Sequence, residues 1–175
     1  RQIPLTVCVD KVAASGGYMM ACVGSRILAA PFAIIGSIGV VMQLPNFNRF
    51  LKANNIDFEM VTAGEHKRTL TFFGENTDEG REKVREELEQ AHELFKRFIT
   101  EYRPEVDIEH VATGEHWFGT QALDLKLVDE IRTSDDYLVS RSADCDVFEI
   151  SYRAKPTLLE RLTNQGTEAL ARLFG

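Results

Sequence analysis

The hydrophobic pattern changes character along the chain. Its first third consists of short apolar blocks separated by small and polar residues, and its middle is one long run with helical spacing. Residues 5–9 (LTVCV) are apolar and rich in β-branched side chains, which predicts a strand. Residues 16–22 (GGYMMAC) combine small residues with methionines and predict a helix; 27–30 and 39–42 predict short buried strands. A helix is expected over 47–53 and a strand over 58–62, followed by a loop at 64–77 rich in Gly, Thr, Phe and charge.

The clearest helix comes next. Val84, Leu88, Ala91, Phe95, Phe98 and Tyr102 recur at intervals of 4, 3, 4, 3 and 4, a single apolar stripe. Asn76 or Thr77 can cap its start and Pro104 stops it. A short helix is expected at 121–126, and strands at 127–131 and 147–151. Thr157-Leu158-Leu159-Glu160 fits a capping box, with Leu159, Leu162, Leu170 and Leu173 on one side of the helix it opens. That helix either closes the core or docks on another subunit.

Residues 27–48 carry no charge, and a bilayer span needs about 20 apolar residues. Pro31, Gly36, Ser37, Gly39 and the pairs Ile34-Ile35 and Val40-Val41 break this run into strands instead. The alternation of strands and helices predicts an α/β fold with a largely parallel sheet, and chemistry in the loops that follow the strands.

Composition narrows the function. The chain has 175 residues, 20 basic against 27 acidic, for a net charge of −7. With no basic cluster to override that sign, nucleic acid is excluded as a partner. Cys8, Cys22 and Cys145 match no metal-binding spacing and read as free thiols. The chain opens without Met or a signal-peptide layout, directly into an apolar run, and is expected to be a fragment lacking its natural N-terminal portion.

The candidate chemistry centres on Ala13-Ala14-Ser15-Gly16-Gly17-Tyr18, directly after the first predicted strand. A serine at a strand-to-helix turn is placed as a nucleophile, with helix N–H groups available to developing negative charge. A phosphate cradle or a plain N-cap uses the same sequence. A nucleophilic serine needs a base. Of His66, His92, His110 and His116, only His66 lies in a Gly-containing loop after a predicted strand. Lys67 beside it is the other candidate, and must be desolvated, since only roughly one lysine in 2,500 is neutral at pH 7.

Ser15 in ASGGY, Ser37 in GSIGV, Lys67 in GEHKR and residues 114–129 (GEHWFGTQALDLKLVD) together resemble the signal peptide peptidase family, S49. The resemblance implies a ClpP/crotonase-like fold, incomplete at the N-terminus, over residues 1–155, with 156–175 as an amphipathic packing or oligomerisation helix. It also implies a serine endopeptidase acting on apolar, signal-peptide-like substrates through a Ser15/Lys67 dyad. Gly16 matches an oxyanion donor, Ser37 a hydroxyl that orients the base, and the second oxyanion donor belongs to a glycine segment upstream of Arg1. No metal or cofactor is implied. Family members assemble into homo-oligomers, and the resemblance places the domain on the periplasmic side of a bacterial inner membrane, attached through an N-terminal anchor. The alternatives are a ClpP-like Ser-His-Asp protease, a crotonase-type thioester enzyme and a non-catalytic assembly module of the same fold.

Overall fold

Residues 5–9 are apolar enough to be buried and too short for a helix, and in the computed structural model, which describes residues 3–64 and 67–152, they supply strand β1, Thr6–Val9. Two further residues carry the chain into β2, Val12–Ala14, and then into helix α1, Gly16–Ala21. Strands β3, Arg26–Ala29, and β4, Ile34–Gly36, follow, then helix α2, Asn48–Ala53. The long helix α3 spans Asp78–Tyr102 and the single turn α4 Ile108–Val111. Strand β5, His116–Phe118, helix α5, Gly119–Asp124, strand β6, Glu130–Ile131, and helix α6, Ser134–Arg141, complete the order. The chain divides into two compact units, Arg1–Ser140 and Arg141–Gly175. The helix expected over 156–175 lies outside the described residues.

The strands form two three-stranded sheets, in the orders β1-β3-β6 and β2-β4-β5. All pairings are parallel except β4 with β5, which is antiparallel. Parallel neighbours require crossovers, and β2 with α1 supplies the first of them, between β1 and β3. The result is an α/β architecture.

The core gathers Tyr18 from α1, Ile27 from β3, Ile35 from β4, Ile99 from α3 and Leu127 before β6, all completely buried. Their burial fixes the depth at which each element sits. Helix α3 begins where the Thr77 hydroxyl accepts the Gly80 amide at 3.0 Å, and Asp78 and Glu79 complement the dipole of its first turn. Gly80 is needed there, because a Cβ would stand 2.5 Å from the Thr69 carbonyl oxygen.

Several expectations need correction. The second strand of the uncharged run is Ile34–Gly36, not 39–42; Val40, Val41 and Met42 are exposed and lie in no strand. Residues 58–62 and 147–151 are exposed and form no strand either. Apolar content without a partner strand is not enough to make a ladder. On α3, the buried residues are Gly80, Val84, Phe95 and Ile99, while Tyr102 is exposed, so the buried stripe is rotated from the expected one. No described helix is long and apolar enough to cross a membrane.

Candidate active site

Ser15 stands at the junction of β2 and α1. Parallel pairing of Val12–Ala14 with Ile34–Gly36 carries the ladder to its end, where the Ser15 amide donates to the Gly36 carbonyl at 2.7 Å. The Ser15 carbonyl then accepts from the amides of Tyr18 (3.0 Å) and Met19 (3.1 Å), starting the helix. To serve both elements the residue takes φ 53° and ψ −122°, a conformation that costs an L-residue on the order of 1–3 kcal/mol. Its hydroxyl makes no capping bond and is exposed. Ser15 is thus the N-cap of α1 by position, with its carbonyl starting the helix, but its side chain makes no capping bond. Around Gly16 and Gly17 the space is open: beyond the adjoining residues and the helix's own backbone, no described heavy atom lies within 4 Å of where a Cβ would stand.

Ser37 is brought beside this turn. It follows Gly36, the acceptor of the Ser15 amide, and also has positive φ, 50°. Antiparallel pairing places Gly36 opposite His116, and the Ser37 amide donates to the Glu115 carbonyl at 2.7 Å. Gly36 itself has φ 98°, and a Cβ there would stand 2.9 Å from the Trp117 ring. The two motifs GSIGV and GEHWFG thus meet in one interface and fix the end of β4.

Lys67 is exposed, and no hydrogen bond joins it to Ser15 among the described residues. Its amide donates to the Gly64 carbonyl at 3.2 Å across a turn whose middle residues, Glu65 and His66, lie outside the described residues. Immediately downstream the loop is held firmly. The Asn46 amide group donates to the carbonyls of Thr71 and Gly74, both at 2.9 Å, and that of Asn48 to Phe73 at 2.7 Å. Thr71 and Asn76 exchange two further bonds. The lysine therefore extends from a short arm on an anchored base.

A buried polar group at the C-terminal end of α3 had no counterpart in the sequence reading. Arg103, at the C-terminal end of α3, is the one buried charged residue among those described. Its two Nη atoms contact the Asp129 carboxylate at 2.9 and 2.7 Å, and Nη2 also donates to the Lys126 carbonyl at 2.9 Å. Nε lies 3.0 Å from Glu105 Oε1 but is not aligned for a hydrogen bond. Burial pushes the Asp129 carboxyl up, and the bonds from Arg103 and the Ile27 amide outweigh it, holding it below the usual carboxylate range. Beside them, the completely buried Tyr18 hydroxyl donates to the Leu127 carbonyl at 2.8 Å, and burial keeps the phenol far above its ordinary pKa. The signal for Arg103 was present: it continues the i, i+4 series of Phe95 and Ile99. Tyr18, Ile35 and Ile38 are completely buried in the core.

A cleft of about 520 Å³ is lined by residues 7–13 together with Gly17, Met20 and Ala21; Ser15 itself is not part of its lining. Val12 and Met20 present exposed apolar surface to it. Other clefts along α3 are lined by its solvated Glu, Lys and Arg side chains. No cluster of metal-ligating side chains occurs among the described residues, and Cys8, Cys22 and Cys145 are free thiols.

Residues 1–147 match the profile of Peptidase family S49, and the chain belongs to that family. It is similar to a protein of Haemophilus influenzae named "Probable protease SohB", 54% identical over 98% of this chain and 49% of that protein. A protein of the same name from Buchnera aphidicola subsp. Acyrthosiphon pisum is 59% identical over 98% of this chain and 52% of its own length. The chain thus spans about half the length of these curated relatives.

Proposed function

We propose that the chain carries the nucleophile-bearing part of a serine endopeptidase with a ClpP/crotonase-like fold, in which Ser15 attacks the peptide carbonyl and Lys67 acts as general base. The observation that carries this reading is the backbone of Ser15: a non-glycine residue held at φ 53° with its side chain exposed and making no capping bond, inside an S49 sequence. Strain of this kind persists where the surroundings over-determine it, and it gathers at reacting groups.

The chemistry is acyl transfer. Neutral Lys67 accepts the Ser15 proton as Oγ bonds to the carbonyl carbon, and the resulting oxyanion lies against the Gly16 N–H. The ammonium of Lys67 then protonates the departing amine; water, deprotonated by Lys67, attacks the acyl carbon, and Lys67 returns that proton to Ser15 Oγ as the C–O bond breaks. Ser37, one residue beyond the carbonyl that holds Ser15, orients the base. Lys67 is exposed in this structure, so its desolvation falls to the bound peptide, which covers the arm and lowers the cost of the neutral amine. Apolar side chains of the substrate fit the cleft that Val12 and Met20 line. The family resemblance supports a homo-oligomer on the periplasmic side of a bacterial inner membrane.

The test is cleavage of an apolar fluorogenic peptide by the full-length gene product. Ser15→Ala and Lys67→Ala are each expected to lose roughly 10³-fold or more in kcat, with His66→Ala retaining most activity. Full activity in Ser15→Ala overturns the reading; a dead His66→Ala beside an active Lys67→Ala transfers the base to histidine.

A further inference from the structure

A strained serine stays in place only if something on each side of it refuses to move. Upstream, the Gly36 carbonyl holds its amide. Downstream, its carbonyl is held by the amides of Tyr18 and Met19, so the conformation of Ser15 depends on where the first turn of α1 sits. Tyr18 sets that position. Its ring is completely buried, and its hydroxyl reaches the Leu127 carbonyl, 109 positions further along the chain.

Leu127 is itself clamped. The segment before β6 turns at Lys126, which adopts φ 60°, and the Lys126 carbonyl accepts Arg103 Nη2. Two residues beyond Leu127, the Asp129 carboxylate takes both Nη atoms of Arg103 and the Ile27 amide, the last at 2.6 Å. The segment 126–129 is thereby pinned to the end of α3 and to β3 at once. From there the Tyr18 bond transmits that fixed position to α1.

Stability alone does not account for this arrangement. A buried ion pair replaced by well-packed apolar residues of similar volume is often no less stable, and a phenylalanine would fill the Tyr18 site without its hydroxyl. What the polar groups supply is direction: each bond fixes a distance and an angle that apolar packing leaves free.

We infer that Tyr18, Arg103 and Asp129 are positioning residues, a buried strut that holds Ser15 in its attacking geometry through the first turn of α1. The inference rests on the nucleophile reading above. None of the three touches substrate; each acts through the backbone of Ser15.

The experiment compares Tyr18→Phe and Asp129→Asn with wild type and Ser15→Ala in the full-length gene product. It uses an apolar fluorogenic peptide and a fluorophosphonate probe, well below the lowest melting midpoint. The expected result for Tyr18→Phe is a kcat about tenfold lower with KM within about twofold, and fluorophosphonate labelling of Ser15 slowed by the same factor. A residue with only a structural role would lower the melting midpoint and leave kcat and labelling rate of the folded protein unchanged. That outcome, with Ser15→Ala inactive, overturns the strut while the nucleophile stands. An active Ser15→Ala overturns the nucleophile reading and the strut with it. Should Tyr18→Phe fail to fold, Asp129→Asn supplies the same split: it keeps an acceptor for the Ile27 amide and removes the charge facing Arg103. A parallel loss of kcat and labelling rate supports the strut, and unchanged values overturn it.

Discussion

The Ser15 amide donates to the Gly36 carbonyl at 2.7 Å, and this one bond aligns two strained serines, because Ser37 follows directly and both have φ near 50°. Among the described residues only four non-glycine positions have positive φ, the others being Asn55 and Lys126. Two of the four belong to the motifs that sequence reading singled out for catalysis, and the fold places them on neighbouring strand ends.

The strain at Ser15 has a measurable consequence. Glycine adopts this conformation without a Cβ penalty, but gives up some stability by loosening the unfolded chain. Ser15→Gly is expected to be about 0.5–1 kcal/mol more stable than wild type in urea denaturation while losing peptidase activity. A destabilised Ser15→Gly would show that the turn is relaxed in solution.

At Gly36 the sign reverses. A methyl group there meets the Trp117 ring at 2.9 Å on a backbone at φ 98°. Gly36→Ala is expected to cost about 2–3 kcal/mol and to impair cleavage, since the carbonyl that holds Ser15 must shift. Denaturant midpoints and peptide turnover check it together; an unchanged midpoint would mean that the ring moves aside freely.

Much of this geometry was readable beforehand, for identifiable reasons. The Ser15 turn is legible because a serine flanked by small residues after an apolar run marks a strand-to-helix junction, and Gly16 and Gly17 let the backbone turn sharply there. Asn76 or Thr77 as the cap and Pro104 as the stop bracketed α3, Asp78–Tyr102, although its buried stripe is rotated from the expected one. What was missed depends on partners distant in sequence. Strands β2 and β5 are three residues each, too short for alternation to register, and they exist because Gly36 lies between Ala14 and His116. Residues 39–42 and 58–62 have strand composition but lack a paired neighbour, and composition cannot reveal that. Arg103 was passed over because a charge at the end of an apolar stripe reads as its boundary. Here it continues the buried face, made tolerable by Asp129.

The pairing of β5 with β4 also singles out a histidine. His116 lies opposite Gly36 and is exposed, so of the described histidines it is the one that sheet pairing brings to the Ser15 turn. With Lys67 as the base, His116→Ala is expected to keep kcat within about twofold, because a base accounts for 10²-fold or more when removed. A collapse of activity in His116→Ala, with normal folding by circular dichroism, would assign the base to histidine after all.

Acid should weaken the fold through Asp129. Its carboxyl is held below the usual range in the folded chain, so the unfolded chain binds its proton more readily. The stabilisation from Arg103 is therefore present above the unfolded carboxyl value of about 3.9, and is lost as pH falls through the lower folded value. Asp10 behaves in the same way, since the Ser134 hydroxyl and amide donate to its carboxylate. Arg103 stays charged throughout, so protonating Asp129 leaves a buried guanidinium facing a neutral acid. Asp129→Asn imposes a comparable loss of charge at every pH. The difference in unfolding free energy between wild type and Asp129→Asn is thus expected to be constant between about pH 5 and 8 and to shrink below about pH 4. Urea titrations at pH 7, 4 and 3 measure it directly. A difference that grows on acidification would place the stabilising proton on the folded chain and contradict the Arg103–Asp129 assignment.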